Sequence, residues 1–358
     1  MNGAALDQLI DYFQQRVRAG RPLRIRGGGT KDWYGQQPQG DVLDVRGHAG
    51  IVDYEPTELV ITARCGTPLA DIEVALAERH QMLAFEPPHF GPGATVGGAV
   101  ASGLCGPRRA TSGAVRDFVL GAQLLDGKGD VLAFGGRVMK NVAGYDVSRM
   151  LAGSLGTLGV ILEVSLKVLP RPVAAATLRF ELGELDAIRR LNEWDGRPLP
   201  LSGSWWCGGV LMLRLSGAEA AVSAARRLLG GEAVPDADAF WAAVREQRLP
   251  FFAGDEALWR LSLPSTSGAI GLEGAQAIEW GGAQRWLRAG SGAATAQAIR
   301  RAAQACGGHA TLFRDGDKAV GVFQPLTPAL EAIQARMQDA FDPQRIFNRG
   351  RMFPQREG

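Results

Sequence analysis

The sequence predicts an α+β protein in unequal parts. Glycine-rich turns alternate with strand and helix patterns through residues 1–172. A cleanly alternating strand at Val160–Val168 then runs into Pro170-Arg171-Pro172, which ends the first domain. Over residues 173–325 the glycine turns thin out and tryptophans concentrate, which predicts a smaller α+β domain. Residues 326–358 make a C-terminal helix and tail.

Composition narrows the function classes. The 358 residues are 46% hydrophobic, enough for a sizeable core. The 39 basic and 37 acidic residues leave a net charge of +2, so nothing calls for nucleic acid or an anionic membrane surface. Cys65, Cys105, Cys207 and Cys306 lie far apart without a C-x-x-C pair. That spacing predicts neither a zinc site nor an iron–sulfur cluster, hence no metal, and it fits a reducing cytoplasm. The longest uncharged run, Gly91–Pro107, is too short and too rich in Gly and Pro to span a bilayer. The chain reads as soluble, or peripheral at most.

Leu6, Leu9, Ile10, Phe13 and Val17 mark an amphipathic first helix rather than a signal peptide. Pro22–Arg26 is a short strand that runs into Gly27-Gly28-Gly29-Thr30-Lys31. Successive glycine N–H groups followed by a hydroxyl and an ammonium suit a pyrophosphate, although the same residues also build an ordinary tight turn. The segment is neither a Walker A loop nor a G-x-G-x-x-G fingerprint, which counts against ATP and the usual NAD fold. Strands follow at Val42–Val45, Ile51–Asp53 and Glu58–Ala63. Thr67 as N-cap and Pro68 at the first helical position open a helix with Leu69, Ile72 and Leu76 on one face.

Glu86-Pro87-Pro88-His89 is an extended linker. Ala94-Thr95-Val96-Gly97-Gly98 turns into a thin-faced helix, Ala99–Gly103, which suits either a ligand lying close or tight helix–sheet packing. Phe118–Leu125, the loop Asp126–Asp130 and Val131–Phe134 form a hairpin. Met139–Asp146 is a polar loop, and a short helix follows around Val147–Leu151. Gly153-Ser154-Leu155-Gly156-Thr157-Leu158-Gly159 then leads into the strand from Val160, whose alternation predicts one buried face. Helix Ala218–Leu229 and strands Val210–Leu215 and Leu258–Leu263 stand out in the second domain, with its tryptophans read as core. Thr327–Phe341 is the last helix, with Leu330, Ile333, Met337 and Phe341 on one side.

Taken together and in order, four segments carry a resemblance. They are Gly27–Thr30, Ala94–Gly98, Gly153–Val160 and the closing Asp342-Pro343…Asn348-Arg349-Gly350-Arg351. They resemble the FAD-linked oxidase family of the vanillyl-alcohol oxidase type. Glu86–His89, Gly106–Arg109, Met139–Asp146 and Gly281-Gly282 are most similar to the FAD-binding subunits of bacterial glycolate oxidases (glycolate dehydrogenases). The resemblance implies a PCMH-type FAD-binding domain of two α/β subdomains, covered by a shortened α+β cap. It implies that Gly27, Gly28, Gly29 and Thr30 hold the pyrophosphate, flanked by Arg26 and Lys31. Thr95, Val96, Gly97, Gly98 and Ser102 would run along the ribityl chain and second phosphate. Asp117, Gly156, Gly159 and Ile161 would meet the ribityl and adenosine parts, and Asn348 the isoalloxazine. Thr30 and Lys31 stand where many relatives carry a flavin-linking histidine, so the expectation is non-covalent FAD. The tail reads Asn348-Arg349-Gly350 where relatives read Asn-Pro-Gly.

Oxidising a 2-hydroxy acid needs a base for the hydroxyl proton and a cation for the carboxylate. The only histidines are His48, His80, His89 and His309, and no two are spaced as H-x-x-x-H. His309, in the turn Cys306–His309, and His89, beside the glycine loop, are the candidate bases. For each, a solvated or core histidine is the more ordinary reading. The resemblance therefore implies a flavoprotein subunit not self-sufficient for turnover. Its partners would be a larger FAD-containing catalytic subunit and an iron–sulfur subunit, its substrate glycolate or a similar small 2-hydroxy acid such as D-lactate. Any contact with the inner face of the membrane would come through those partners. A stand-alone FAD-dependent hydroxy-acid or alcohol oxidase, and a non-catalytic assembly scaffold, stay open beside it.

Overall fold

The computed structural model of the chain describes residues 3–136 and 146–352, so Met139–Tyr145 of the predicted polar loop lie outside the described residues. Helix α1 (Gly3–Arg18) buries Phe13 and Val17 completely. Strands β1 (Leu23–Arg26) and β2 (Asp41–Asp44) pair in parallel, and the tail closes on them through a bridge from Leu23 to Phe347. Strands β3 (Ile51–Glu55) and β4 (Val60–Arg64) begin a second sheet. Helix α2 (Leu69–Ala77) follows, with Leu69, Ile72 and Leu76 fully buried.

Thr67 does not cap that helix. The N-cap is Pro68, and the Thr67 hydroxyl instead donates to the Arg64 carbonyl at 2.7 Å and bonds Gly50, pinning the loop to its neighbour. A short strand β5 (Gln81–Met82) precedes helix α3 (Val96–Ser102). Thr95 caps α3 by accepting from the Gly98 N–H at 3.2 Å, and Gly103 ends it in the left-handed region. The one-turn helices α4 (Arg109–Ser112) and α5 (Val115–Phe118) lead into β6 (Val119–Leu125) and β7 (Val131–Gly135). Asp126 closes that hairpin by accepting from the Lys128 and Asp130 N–H groups at 2.9 Å.

Strand β8 (Val160–Lys167) completes a five-stranded antiparallel sheet in the order β3-β4-β8-β6-β7, and β9 (Leu169–Pro170) pairs with β5. The central place of β8 overturns the expectation of a solvated face. It is covered on both sides, and Ser165 is buried in a 2.8 Å hydrogen bond with Thr62. A strand's polar alternation can be satisfied by a cross-strand partner as well as by water.

The second part is one eight-stranded antiparallel sheet. Its elements are β10 (Ala174–Glu181), α6 (Glu184–Asp195), β11 (Leu201–Cys207), β12 (Val210–Gly217), α7 (Glu219–Leu229), β13 (Glu232–Val234), α8 (Asp238–Arg245), β14 (Ala257–Ser262), β15 (Ala275–Glu279), β16 (Gln284–Ala289), α9 (Ala293–Ala305) and β17 (His309–Arg314). The pleat sorts its side chains. Leu211, Leu213 and Leu215 pack with α6 and α7, while Trp259 and Leu261 pack with α9. Met212, Leu258, Ala277, Trp286 and Phe313 point the other way, against Tyr34, Leu104 and Leu155 of the first part. Trp194, Trp205, Trp206, Trp241, Trp259 and Trp286 are core, whereas Trp280 is half-buried under the Arg109 guanidinium.

Helix α10 (Pro328–Phe341) carries the predicted apolar stripe, but only its end is covered. Met337 and Phe341 pack on the first core, while Leu330 and Ile333 are half exposed. Among the described residues no helix is long and apolar enough to cross a membrane.

Candidate functional site

The glycine turns converge on one cleft of about 700 Å³, partly open to solvent. Its wall comes from the loop after β1, the start of α3, the turn before β8 and the returning tail. The first two press backbone to backbone: a Cβ on Gly28 would fall 1.5 Å from the Gly93 carbonyl oxygen, so no larger residue fits there. Gly27 lies against a side chain instead: a Cβ there would fall 2.5 Å from the Thr95 hydroxyl oxygen.

Of the residues singled out in the sequence, the structure brings Arg26, Gly27, Gly28, Gly29, Thr30, Lys31, Thr95, Gly97, Gly98, Ser102, Gly156, Gly159, Ile161 and Asn348 to the cleft. Two fall elsewhere. Val96 turns its side chain into the hydrophobic core, because the first turn of α3 must bury one face against the sheet. Asp117 sits in α5, where its carboxylate accepts from the Ala114 N–H at 2.8 Å. Gly97 and Gly98 separate the two readings of the thin-faced helix. A Cβ on Gly97 would meet the Cβ of Cys65 at 2.6 Å, which is tight helix–sheet packing. A Cβ on half-buried Gly98 would meet only the Thr95 hydroxyl, at 3.2 Å, so this glycine leaves room for a ligand.

The electrostatics are those of an anion site. Lys31 is buried, and desolvation lowers its pKa to about 8 from the ordinary 10.5, with Glu246 opposing. Its ammonium donates to the His89 carbonyl at 3.2 Å and approaches the Thr30 hydroxyl at 3.4 Å, both neutral acceptors. Arg351, to which no sequence motif assigns a role, is also buried at the cleft. One guanidinium nitrogen donates to the Lys31 and Tyr34 carbonyls, while its Nε is buried without a partner. Burial lowers its pKa too. Arg26 is committed at the rim to Asp32, at 2.7 Å. Two buried cations on neutral acceptors, one with an orphaned N–H, beside a glycine cradle fit a diphosphate-bearing cofactor. When bound, a flavin there supplies the hydride-accepting ring that this chain's side chains lack.

Neither candidate base reaches the cleft. The His89 ring is held by the Glu73 carboxylate at 3.1 Å, and its backbone N–H is taken by Glu246. His309 is exposed at the start of edge strand β17, paired with Ser262. Desolvation, then the charge of Arg260, lowers its pKa, so its neutral form is favoured. Both histidines went to other duties because nothing in their local sequence fixes where the ring points. Among the described residues, no group of three or more His, Cys, Asp and Glu could hold a metal ion.

A smaller second space lies between the two parts, lined by Phe90 and Cys105 on one side and by Arg260, Glu279, Gln284 and Trp286 on the other. Glu279 is buried and accepts from Gln284 at 2.8 Å and from the Trp286 indole at 2.5 Å. Desolvation raises its pKa to about 7. The parts are clamped nearby by Glu86, which takes Arg214 at 2.9 Å and Arg108 at 3.5 Å.

Fold and cleft together define a flavoprotein: a glycine-cradled anion site closed by the returning tail. A family model described as FAD binding domain matches residues 4–135. The chain is 50% identical over 345 residues to the glycolate oxidase subunit GlcE of Escherichia coli, covering 96% of each. It is 31% identical over 168 residues to the glycolate oxidase subunit GlcD of Bacillus subtilis, 46% of this chain and 36% of that one. Among solved structures, an alkyldihydroxyacetonephosphate synthase superposes with a TM-score of 0.67 at 13% identity, covering 96% of this chain and 75% of that one. The last likeness shows the fold alone. The chain belongs to the FAD-linked oxidase family, with the PCMH-type fold, and FAD is its cofactor.

Proposed function

We propose that this chain is the non-covalent FAD-binding subunit of a multi-subunit glycolate oxidase, a complex that oxidises glycolate or a similar small 2-hydroxy acid to the 2-oxo acid. Electrons leave its flavin for an iron–sulfur subunit, and a larger FAD-containing subunit shares the complex. The observation that carries the reading is the pair of buried cations, Lys31 and Arg351, set on neutral acceptors around the Gly27–Gly29 cradle. The likeness to GlcE along 96% of both chains supports the glycolate assignment. No histidine lines the cleft among the described residues, and Cys65 is packed against Gly97 with its thiol pushed up to about 12 by burial, which supports non-covalent attachment. The half-exposed Leu330 and Ile333 on α10 support a subunit contact. The Val96 and Asp117 side chains stay outside the binding assignment, and neither His89 nor His309 acts as the base.

The test is expression of this chain alone. A flavin absorbance band released by acid precipitation supports non-covalent FAD. Anaerobic glycolate with and without the partner subunits then separates a subunit from a stand-alone oxidase: bleaching and reoxidation by the lone chain at the rate of the complex refutes the subunit reading.

A further inference from the structure

Residues 89–93 run between the cofactor cleft and the second part, and both sides grip their backbone. On the cleft side the His89 carbonyl accepts from the Lys31 ammonium at 3.2 Å, the Phe90 ring centre lies 5.7 Å from that ammonium, and the Gly93 carbonyl crowds Gly28. On the other side one carboxylate, that of Glu246 at the C-terminal end of α8, accepts from the Phe90 N–H at 2.8 Å and from the His89 N–H at 3.1 Å. Phe90 holds a left-handed backbone, φ 53°, which a bulky residue keeps only where its surroundings impose it. The grip of Glu246 on both N–H groups helps to impose it.

Lys31 and Glu246 thus hold opposite ends of one peptide group, the His89 carbonyl and the Phe90 N–H. A cation on the oxygen and an anion on the N–H polarise that peptide in the same sense, so each bond strengthens the other. Among the described residues Lys31 makes no direct ion pair, and the charge of Glu246 is what opposes its desolvation. The Glu246 side chain is only 10% exposed. Arg245 pairs with it at 2.8 Å and reaches Glu73 of α2 at 3.7 Å, so two carboxylates share one guanidinium. Glu73 also takes the His89 ring. On the cradle side the charged groups about Lys31 are Arg351, bonded to the Lys31 carbonyl, and the Arg26–Asp32 pair at the rim. We propose that Glu246 is a positioning residue for the cofactor: from the second part it fixes the peptide against which Lys31 rests and supplies the negative charge that keeps Lys31 cationic. This rests on the non-covalent FAD reading above and adds to it that the second part sets the charge of the cleft.

The experiment follows the melting temperature of the purified, flavin-free full chain across the neutral to alkaline range, and FAD uptake by the same protein at each pH. The folded Lys31 pKa is about 8, below its ordinary 10.5, so ligand-free stability begins to rise there and FAD affinity begins to fall. Glu246→Gln keeps an acceptor for the two N–H groups and removes the charge, so both onsets are expected to move down by about one pH unit. Glu246→Asp keeps the charge and is expected to restore them. In the Lys31→Met background the step is absent, and Glu246→Gln is expected to shift nothing, which a merely structural role does not predict. Onsets unmoved by Glu246→Gln, or a shift of the same size in Lys31→Met, overturn the proposal and leave the flavin assignment standing. Wild-type protein that takes up no FAD overturns the non-covalent reading, while the melting profiles, which need no flavin, still decide this one.

Discussion

The side-chain amide of Asn348 donates to the Leu155 carbonyl at 2.6 Å, joining residues 193 apart in sequence. Its Oδ1 accepts from the Ile25 N–H at 2.8 Å, so one buried carboxamide ties the tail to the strand before the glycine cradle and to the turn before β8. Gly156 makes room for it: a Cβ there would fall 2.6 Å from the Asn348 amide nitrogen. Asn348 thus acts as a positioning residue at the base of the cleft.

Asn348→Leu leaves the Ile25 N–H and the Leu155 carbonyl buried without that partner. The expected loss is about 3 kcal/mol in urea unfolding, with flavin released as a consequence. Asn348→Asp keeps the acceptor for Ile25 and is expected to lose less. An unchanged unfolding midpoint in Asn348→Leu contradicts the assigned role.

Gly97 and Gly98 are adjacent and are expected to fail differently. Gly97→Ala drives a methyl into Cys65 and should destabilise the fold by about 2 kcal/mol. Gly98→Glu should fold, as circular dichroism will show, yet purify without flavin, because a carboxylate then projects into an anion site. Flavin retained at wild-type stoichiometry in Gly98→Glu counts against the placement of the cofactor along α3.

Lys31→Met separates binding from stability. Its folded pKa is about 8 against the ordinary 10.5, so below pH 8 the buried charge costs the fold its full desolvation penalty. Between those values the unfolded chain binds the extra proton, and ligand-free stability rises with pH. Lys31→Met is therefore expected to melt higher than wild type near pH 7 without flavin, by on the order of 2–3 kcal/mol, and to hold flavin less tightly. A mutant that melts lower at pH 7 and retains flavin contradicts this account.

Glu279 gives the opposite profile. Its folded pKa is about 7 against an ordinary 4.5, and Glu86 and Arg260 are the charged groups acting on it. Below pH 4.5 both states hold the proton; between 4.5 and 7 only the folded state does, so stability falls as pH rises through that window. Relative to Glu279→Gln, the wild-type protein is expected to lose on the order of 3 kcal/mol between pH 4.5 and pH 8. Parallel stability curves across that range show that Glu279 is ionised throughout.

What could be read from the sequence was the local part. Gly27–Lys31 and Thr95–Gly98 announce their turns because glycine and the capping hydroxyl fix a backbone within a few residues. Side-chain direction was less legible. Val96 and Asp117 lie within the right stretch of sequence but face the core and a helix start, which depends on how α3 and α5 pack. Arg351 reaches Lys31 across 320 residues, and Glu246 reaches His89 across 157. No spacing rule links such residues. The strand at Val160 misled for a similar reason, since Ser165 satisfies its hydroxyl on Thr62 rather than in water.

The most direct test of the central claim is the flavin content of the chain expressed without partners. The account predicts a yellow protein with about one FAD per chain, released into the supernatant by acid. Colourless folded protein, or flavin that stays with the acid precipitate, would contradict it.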